Sequence, residues 1–362
     1  MKRKSQSQQI QELEIQLQTA RAEATKAKRE LENMAHSWRS AKSRLSRPSF
    51  FKAFSQYKDF ISTTAGNPQF DALPTRGLTS KLRNYAFARS HGYKIPKIYS
   101  ISSNIESFDF SSVPNRFVLK TSGGSSSHGV LPLIQTGQDE YAVADGSRML
   151  SKGEIVAHFA QGRKSGLAYG KVFAEEFIVP KQSANTIPDD IKIYMAYGEV
   201  MHILLRSVDL HGSVDGNRSK YIDADGKDLG PVSNQRAMDA TIPNPSNLKE
   251  AVEMAMHLSR ASGLPFSRVD VFDSPSGTFF GEITRAPGGT QSYTAAHDEQ
   301  MGKKWLIGEA NLMLDQKAGR PVGAIWGTKA IPEVLQLLDT PHEELPRATF
   351  APCSEWCLRH DH

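Results

Sequence analysis

Lys120 closes an apolar run and leads straight into a glycine- and serine-rich loop, FVLKTSGGSSSHGV over residues 117–130. Gly123, Gly124 and Gly129 allow close approach of backbone to a ligand. Ser125, Ser126 and Ser127 add hydroxyl donors, and such a loop can turn several N–H groups toward phosphate oxygens. Lys120 adds a point charge for the same anion. Neither GxxxxGK[ST] nor GxGxxG is present, so this is not a Walker A loop or a Rossmann fingerprint. Taken alone, it can equally be a surface loop.

Three further segments carry charge inside apolar runs. In FAEEFIVP (173–180), Glu175 and Glu176 interrupt a strand-like stretch. Alternation turns one of them inward, where a buried carboxylate needs a partner. In DDIKIYMAYGEV (189–200), Asp190, Lys192 and Tyr194 share one strand face, and Lys192 could reach a phosphate. A surface hairpin turned at Gly198 is the other reading. In RVDVFDSPSGTFFGEITRAPGGTQS (268–292), a turn near 274–277 folds a hairpin. Arg268 and Asp270 share a face of its first strand, and Glu282 and Thr284 share a face of its second. Paired, the four side chains converge. Two carboxylates and a hydroxyl are hard oxygen donors of the kind Mg2+ takes beside nucleotide phosphates. Arg268 could steady charge on a transferring phosphoryl group.

These segments need a sheet to hold them. Apolar runs suited to strands recur from 116 onward, at RFVLK, KVFAEEFIV, DIKIYMAY, VMHILLRSV, FSRVDVFD and TFFGEIT. Helices are predicted near 79–91, with Thr79 or Ser80 as cap, near 246–262, with Ser246 or Asn247 as cap and Gly263 as stop, and near 299–318. Residues 49–115 are mixed in pattern, and 326–362 read as a tail. The tail holds Cys353, Cys357, His360 and His362 within ten residues. Free thiols are the plain reading, and a Zn2+ site is the other.

Residues 10–45 differ from the rest. Ile10, Leu17, Ala24, Leu31, Trp38 and Leu45 alternate with Leu13, Ala20, Ala27, Met34 and Ala41 as an unbroken heptad seam without Gly or Pro. This predicts a coiled coil and a homo-oligomer. Residues 1–47 hold eleven Lys/Arg and five Glu, a balance of +6, so the remainder of the +5 chain carries −1. A near-neutral body argues against nucleic acid as partner. The basic arm could sit near an anionic membrane surface or within a biosynthetic complex. The charged and hydrophobic fractions, 23% and 39%, suit a globular protein. Only two cysteines, no apolar run of spanning length and no signal-like leader point to the cytoplasm.

In order along the chain, the lysine before a Gly/Ser loop, the Glu-Glu strand, D-x-K, R-x-D and E-x-T-x-x-P-G resemble the ATP-grasp superfamily. Within it, DIKIYMAYGE and RVDVF…GEIT…PGG are similar to the teichuronopeptide-biosynthesis (TupA-like) group. The resemblance spans residues 116–292. It implies an α/β (α+β) ATP-grasp fold whose two lobes clasp ATP. The expected domains are an arm at 1–47, an α/β region at 48–115, and the ATP-grasp domain at 116–325. The last divides into a smaller lobe, 116–180, and a larger one, 181–325. It also implies ATP with Mg2+ or Mn2+ as cofactors. Lys120 and loop 122–129 would meet the phosphates, and Glu175 or Glu176 with Phe177 and Ile178 would line the adenine and ribose. Lys192 would reach the phosphates, and Asp270 and Glu282 would hold the metal with Thr284, which takes the place of the superfamily's usual Asn. Arg268 would act on the γ-phosphoryl group. Arg285, Gly288, Gly289 and Thr290 would shape the acceptor pocket. The activity implied is an ATP-dependent carboxylate–amine ligase working through an acyl phosphate on a small-molecule, glycan or peptide acceptor, as in cell-surface polysaccharide synthesis. A kinase on the same scaffold, or a nucleotide-binding scaffold without turnover, is the alternative.

Overall fold

The structure, a computed structural model, describes residues 6–45, 47–124, 128–180, 187–208, 210–212, 217–233, 237–288, 291–336 and 353–357. The chain divides into two units, Met1–Ser49 and Phe50–His362. The first contains α1 (Gln6–Leu45), an uninterrupted helix of 40 residues and thus about 60 Å long. Leu17, Leu31 and Met34 of the heptad seam are exposed along it. Pairing through that seam is a proposal taken up below.

In chain order, the second unit runs α2 (Phe50–Thr63), α3 (Pro74–Gly77), α4 (Lys81–Ser90), β1 (Ile98–Ser102), β2 (Arg116–Gly124), β3 (Val130–Gln135), β4 (Glu140–Val143), β5 (Met149–Ser151) and α5 (Lys152–Lys164). It continues with β6 (Ala168–Glu176), β7 (Asp190–Ala196), β8 (Glu199–Ser207), β9 (Arg218–Ile222), β10 (Ala237–Met238), α6 (Leu248–Ser262), β11 (Ser267–Ser274), β12 (Gly277–Thr284), α7 (Ala295–Lys317), α8 (Glu333–Gln336) and α9 (Cys353–Trp356). The strands form two six-stranded sheets, in the orders β1-β6-β2-β3-β4-β5 and β10-β9-β8-β7-β11-β12. β1 comes from the 48–115 stretch and pairs antiparallel with β6, so that stretch contributes to the first sheet.

Short connections fix the registers that matter. β7 turns into β8 through Tyr197 and Gly198, both at positive φ (+42° and +87°), the backbone of a tight hairpin. β11 turns into β12 between Ser274 and Gly277. α6 stops at Gly263, whose φ of +69° is the left-handed cap glycine supplies.

α4 lies against both sheets, packing on β2 and on β12. The Ser80 hydroxyl accepts the Arg83 N–H at its start, and Asn84 Nδ2 donates to the Ile283 carbonyl at 3.0 Å. Leu82, Tyr85, Ala86 and Phe87 are all buried, in a core shared with Phe173, Ile193, Val269 and Phe280. A helix buried on most sides has no clear apolar stripe. In the mixed 49–115 stretch, α2 packs on α7 through Phe50, Phe54 and Tyr57, spaced i, i+4 and i+7. Phe50 and Tyr57 meet Trp305 edge-on.

The tail is not a featureless extension. Trp326, Leu335 and Cys357 are buried in the main core. Cys353 and Cys357 are bonded to one another across one turn of α9, with Cα atoms 5.1 Å apart. Free thiols were the plainer expectation; four-residue spacing on a helix brings the two sulfurs to one side. His360 and His362 lie outside the described residues.

Candidate active site

The second sheet builds two adjacent rows of side chains. Lys192 on β7 is the register partner of Asp270 on β11, and Asp270 is the partner of Glu282 on β12. One step along, Tyr194, Arg268 and Thr284 align in the same way. Directly opposed residues hold their Cβ atoms about 5 Å apart, so the hairpin brings the four residues singled out by alternation together. A bulge follows at once, because Val271 pairs with Phe280 and Gly281 is the extra residue. A Cβ on Gly281 would come within 3.1 Å of the Asp270 carbonyl oxygen. Bulges of this kind re-aim neighbouring side chains.

Asp270 is held by cations. Arg268 donates to it twice, Nε to Oδ1 at 2.6 Å and Nη2 to Oδ2 at 2.7 Å. Lys192 donates to Oδ2 at 2.8 Å. Burial opposes ionisation of this carboxyl, but Arg268 and Lys192 outweigh it and hold it below the usual carboxylate range. Asp190 extends the network, paired with Lys192 and Arg206. Glu282 contrasts with both: among the described residues its carboxylate takes no hydrogen bond or ion pair. The Thr284 hydroxyl is buried without a hydrogen-bond partner.

The first sheet supplies the opposing charges. Lys120 on β2 and Glu175 on β6 form an ion pair at 2.5 Å with little exposure of either side chain. The Tyr85 hydroxyl on α4 donates to Glu175 Oε2 at 2.7 Å and lies 3.4 Å from Lys120 Nζ. Lys81, one turn earlier on α4, donates to the Gly124 carbonyl at 3.3 Å. Burial lowers the Lys81 pKa, Lys120 adds to this, and Glu282 and Glu175 act against it. Tyr85 is raised by burial, then by Glu175 and Glu282. Glu282 of the second sheet is thus within electrostatic reach of Lys81 and Tyr85, which also feel Glu175 of the first sheet. α4 joins the two half-sites.

Glu175 is the inward member of its pair. Glu176 instead accepts the Lys97 N–H at 3.1 Å, tying β6 to the segment before β1. Phe177 and Ile178 are buried just past β6, and the Arg116 guanidinium lies 3.8 Å over the Phe177 ring. β2 runs on through Gly124, so Gly123 and Gly124 belong to the strand rather than to the expected loop, and they and Gly129 answer demands within the chain. A Cβ at Gly123 would meet the Tyr169 ring at 2.1 Å, and one at Gly129 would meet Thr121 Oγ1 at 2.0 Å. Gly124, at φ +119°, would meet the Leu167 carbonyl at 2.5 Å. Ser125, Ser126, Ser127, Gly289 and Thr290 lie outside the described residues, and Gly288 is exposed with open space around it.

Arg285 follows Thr284 on the chain. Burial lowers its pKa, with Tyr57 and Tyr169 acting upward and Arg76 downward, so these groups are its charged and phenolic surroundings. Among the described residues, Nη1 of Arg285, Nε of Arg76 and the Tyr57 hydroxyl are all buried without partners. Lys81, Tyr85, Arg76 and Tyr57 were not legible as site residues. The i, i+4 spacing of Lys81 and Tyr85 was the one available signal, and ordinary helix faces share it.

An α+β unit of two six-stranded sheets, both packed by α4, is the fold that the ATP-grasp resemblance implies. The chain belongs to the TupA-like ATP-grasp family, whose model matches residues 68–306. Among solved structures it is similar to a D-alanine–D-alanine ligase from Bacillus anthracis complexed with ATP, at 14% identity over 68% of this chain and 70% of that one, with TM-score 0.40. A RimK domain ATP-grasp protein from Sphaerobacter thermophilus is similar at 12% identity, over 65% and 69% of the two chains, with TM-score 0.38. A Chryseobacterium gregarium RiPP-associated ATP-grasp ligase in complex with ADP and a leader and core peptide is similar at 15% identity, over 66% and 60%, with TM-score 0.32. No curated protein matches the sequence. Among the described residues, no helix is long and apolar enough to cross a membrane.

Proposed function

We propose that the chain is an ATP-dependent ligase that activates a carboxylate as an acyl phosphate and passes it to an amine. The observation that supports this is that Lys81 and Tyr85 of α4 feel both Glu175 of the first sheet, paired with Lys120, and Glu282 of the second, which lies opposite Asp270 and its partners Lys192 and Arg268. Family membership supports the nucleotide.

The residues fit a divalent metal. Among the described residues, Glu282 has a carboxylate free of hydrogen bonds and Thr284 has an orphaned buried hydroxyl, and Asp270 lies directly opposite Glu282. Two carboxylates and a hydroxyl are the oxygen donors Mg2+ or Mn2+ takes. The metal would neutralise phosphate oxygens during transfer. Lys120 and Lys192 hold the phosphates, and Lys81, hydrogen-bonded to the Gly124 carbonyl, adds charge. Arg268 lies beside Asp270, where it stabilises the charge that builds on the γ-phosphoryl group. Glu175, Phe177 and Ile178 line the nucleoside side. Arg285 and Arg76, with buried nitrogens lacking acceptors, suit the anionic group of the acceptor, because an unmade charge-assisted hydrogen bond is costly. The α1 seam suits self-association, which would gather catalytic units into a biosynthetic assembly.

The test is ADP release over a panel of amino acids, uronic acids and short peptides, with and without an amine. Amine-dependent ADP release with a new amide supports the reading. A stable phosphorylated acceptor formed without an amine would make the chain a kinase. Absence of ADP over the whole panel would leave only nucleotide binding.

A further inference from the structure

We propose that His91, His257, Cys353 and Cys357 form a structural Zn2+ site remote in role from the nucleotide, with the two cysteines bound as thiolates. His91 caps the C-terminus of α4, His257 lies on α6, and the cysteines span α9. Ligand atoms of His91, His257 and Cys353 all lie within 4.8 Å of one another. His91 Nδ1 is 3.5 Å from Cys353 Sγ and His257 Nε2 is 3.1 Å from it. In a tetrahedral zinc site with the usual Zn–S and Zn–N bonds, neighbouring N and S ligands stand about 3.5 Å apart.

The hydrogen bonds argue for a cation. A carbonyl only accepts, so His91 Nε2, 3.0 Å from the Ile325 oxygen, carries the ring proton. In the neutral ring Nδ1 then bears the lone pair, and it faces the Cys353 sulfur. While Cys353 is bonded to Cys357, that sulfur has no hydrogen to offer. Once reduced and deprotonated, that sulfur and Nδ1 would both present lone pairs that one metal ion can take. His257 also has a partner on each nitrogen: Nδ1 meets the Tyr93 hydroxyl at 2.7 Å while Nε2 lies 3.1 Å from the same sulfur. An outer partner on the far nitrogen of each ring is the arrangement that orients zinc-bound histidines.

The disulfide and the zinc complex are alternative states of one sulfur pair, and the site belongs to the dithiol. Zn2+ binding there displaces two thiol protons and fills all four positions with protein ligands, which marks a structural site. Two thiolates with two imidazoles suit zinc over the hard cations of the nucleotide site. α9 is one turn long and cannot hold itself in a helix. Zinc would fasten it to α6 and to the end of α4, the helix that carries Lys81 and Tyr85. The sequence offered His360 and His362, which lie outside the described residues, as partners of the cysteines; folding brings two distant histidines to Cys353.

The test uses the full chain purified with a phosphine reductant. Stoichiometric zinc by elemental analysis is expected, falling to background in Cys353→Ser/Cys357→Ser. Replacement by Co2+ should give the visible bands of a tetrahedral ion and a thiolate charge-transfer band, which loses about half its intensity in Cys357→Ser. Should the double variant not fold, alkylation of the wild type decides the matter: zinc should shield both thiols and a chelator should expose them. Reduced wild-type protein that takes up no zinc or cobalt overturns the proposal. So does zinc retained at full stoichiometry by a folded double variant, or shielding that a chelator does not relieve.

Discussion

Replacing Glu175 by Gln separates a phosphate-binding Lys120 from a purely structural one. Glu175 is 2% exposed and Lys120 is 9% exposed, and they meet at 2.5 Å. Glu175→Gln leaves the buried ammonium with only the Tyr85 hydroxyl at 3.4 Å. Removing one partner of a buried ion pair costs about 3–5 kcal/mol. At roughly 2 °C per kcal/mol for a domain of this size, Tm of the ligand-free variant should fall by roughly 6–10 °C. A triphosphate would return the missing anion. Mg2+ with a non-hydrolysable ATP analogue should therefore raise Tm of Glu175→Gln by more than it raises that of the wild type, which must first give up its internal pair. In Lys120→Met the same nucleotide should raise Tm by less than in the wild type. Differential scanning calorimetry reads all three shifts. Equal nucleotide shifts in the three proteins would refute Lys120 as a phosphate contact.

Asp270→Asn and Glu282→Gln should each abolish ADP formation with the circular dichroism spectrum unchanged, and Arg268→Met should lower kcat by more than it raises KM for ATP, because its charge acts mainly in the transition state. A variant of either carboxylate that keeps wild-type turnover would remove it from the metal. Arg285→Ala should raise KM for the acceptor and leave nucleotide affinity unchanged by calorimetry; the reverse pattern would place Arg285 on the nucleotide. Deleting residues 1–47 should lower the molar mass by light scattering to that of a smaller assembly with ATP binding retained, and an unchanged number of subunits would dismiss the seam as an oligomer contact.

What was legible in the sequence was local. Strand alternation placed Arg268 with Asp270 and Glu282 with Thr284, and one tight turn at 274–277 was enough to oppose them. The same alternation selected one glutamate of the 175–176 pair to face inward. Lys120 was also readable, though it lies within β2 and not at a strand end, and its partner was not readable. Glu175 lies 55 positions further on, and nothing local pairs β2 with β6. α4 was visible as a helix near 79–91, yet its place between the sheets was hidden, since burial on several sides erases the apolar stripe that reports a helix's orientation. Lys81 and Tyr85 went unseen with it. The loop glycines were read as making room for phosphate, whereas Tyr169, Leu167 and Thr121 also require them; steric demands from distant residues leave no mark on local sequence. The histidines near Cys353 were missed for the same reason, because His91 and His257 come from helices far along the chain.

The charges of the nucleotide site can be counted as a set. Lys81, Lys120, Lys192 and Arg268 give +4, and Glu175, Asp270 and Glu282 give −3, while Asp190 and Arg206 cancel. The ligand-free site is therefore at 4 − 3 = +1, close to neutral, which is how so many ionised groups coexist at low exposure. ATP without metal carries about four negative charges and would leave the site near −3, with Asp270 and Glu282 facing phosphate oxygens. With one Mg2+ the nucleotide adds about −2, and the site ends near −1 with the two carboxylates neutralised by the ion. On the proposed reading, affinity for ATP should thus depend steeply on the metal. A charge-assisted contact is worth roughly 1.5–3 kcal/mol, so removing Mg2+ should weaken ATP binding at least about tenfold in calorimetry. In Asp270→Asn/Glu282→Gln the dependence should shrink, because the repulsion that the metal relieves is gone. Metal-free ATP that binds the wild type as tightly as its Mg2+ complex would show that the two carboxylates do not face the phosphates.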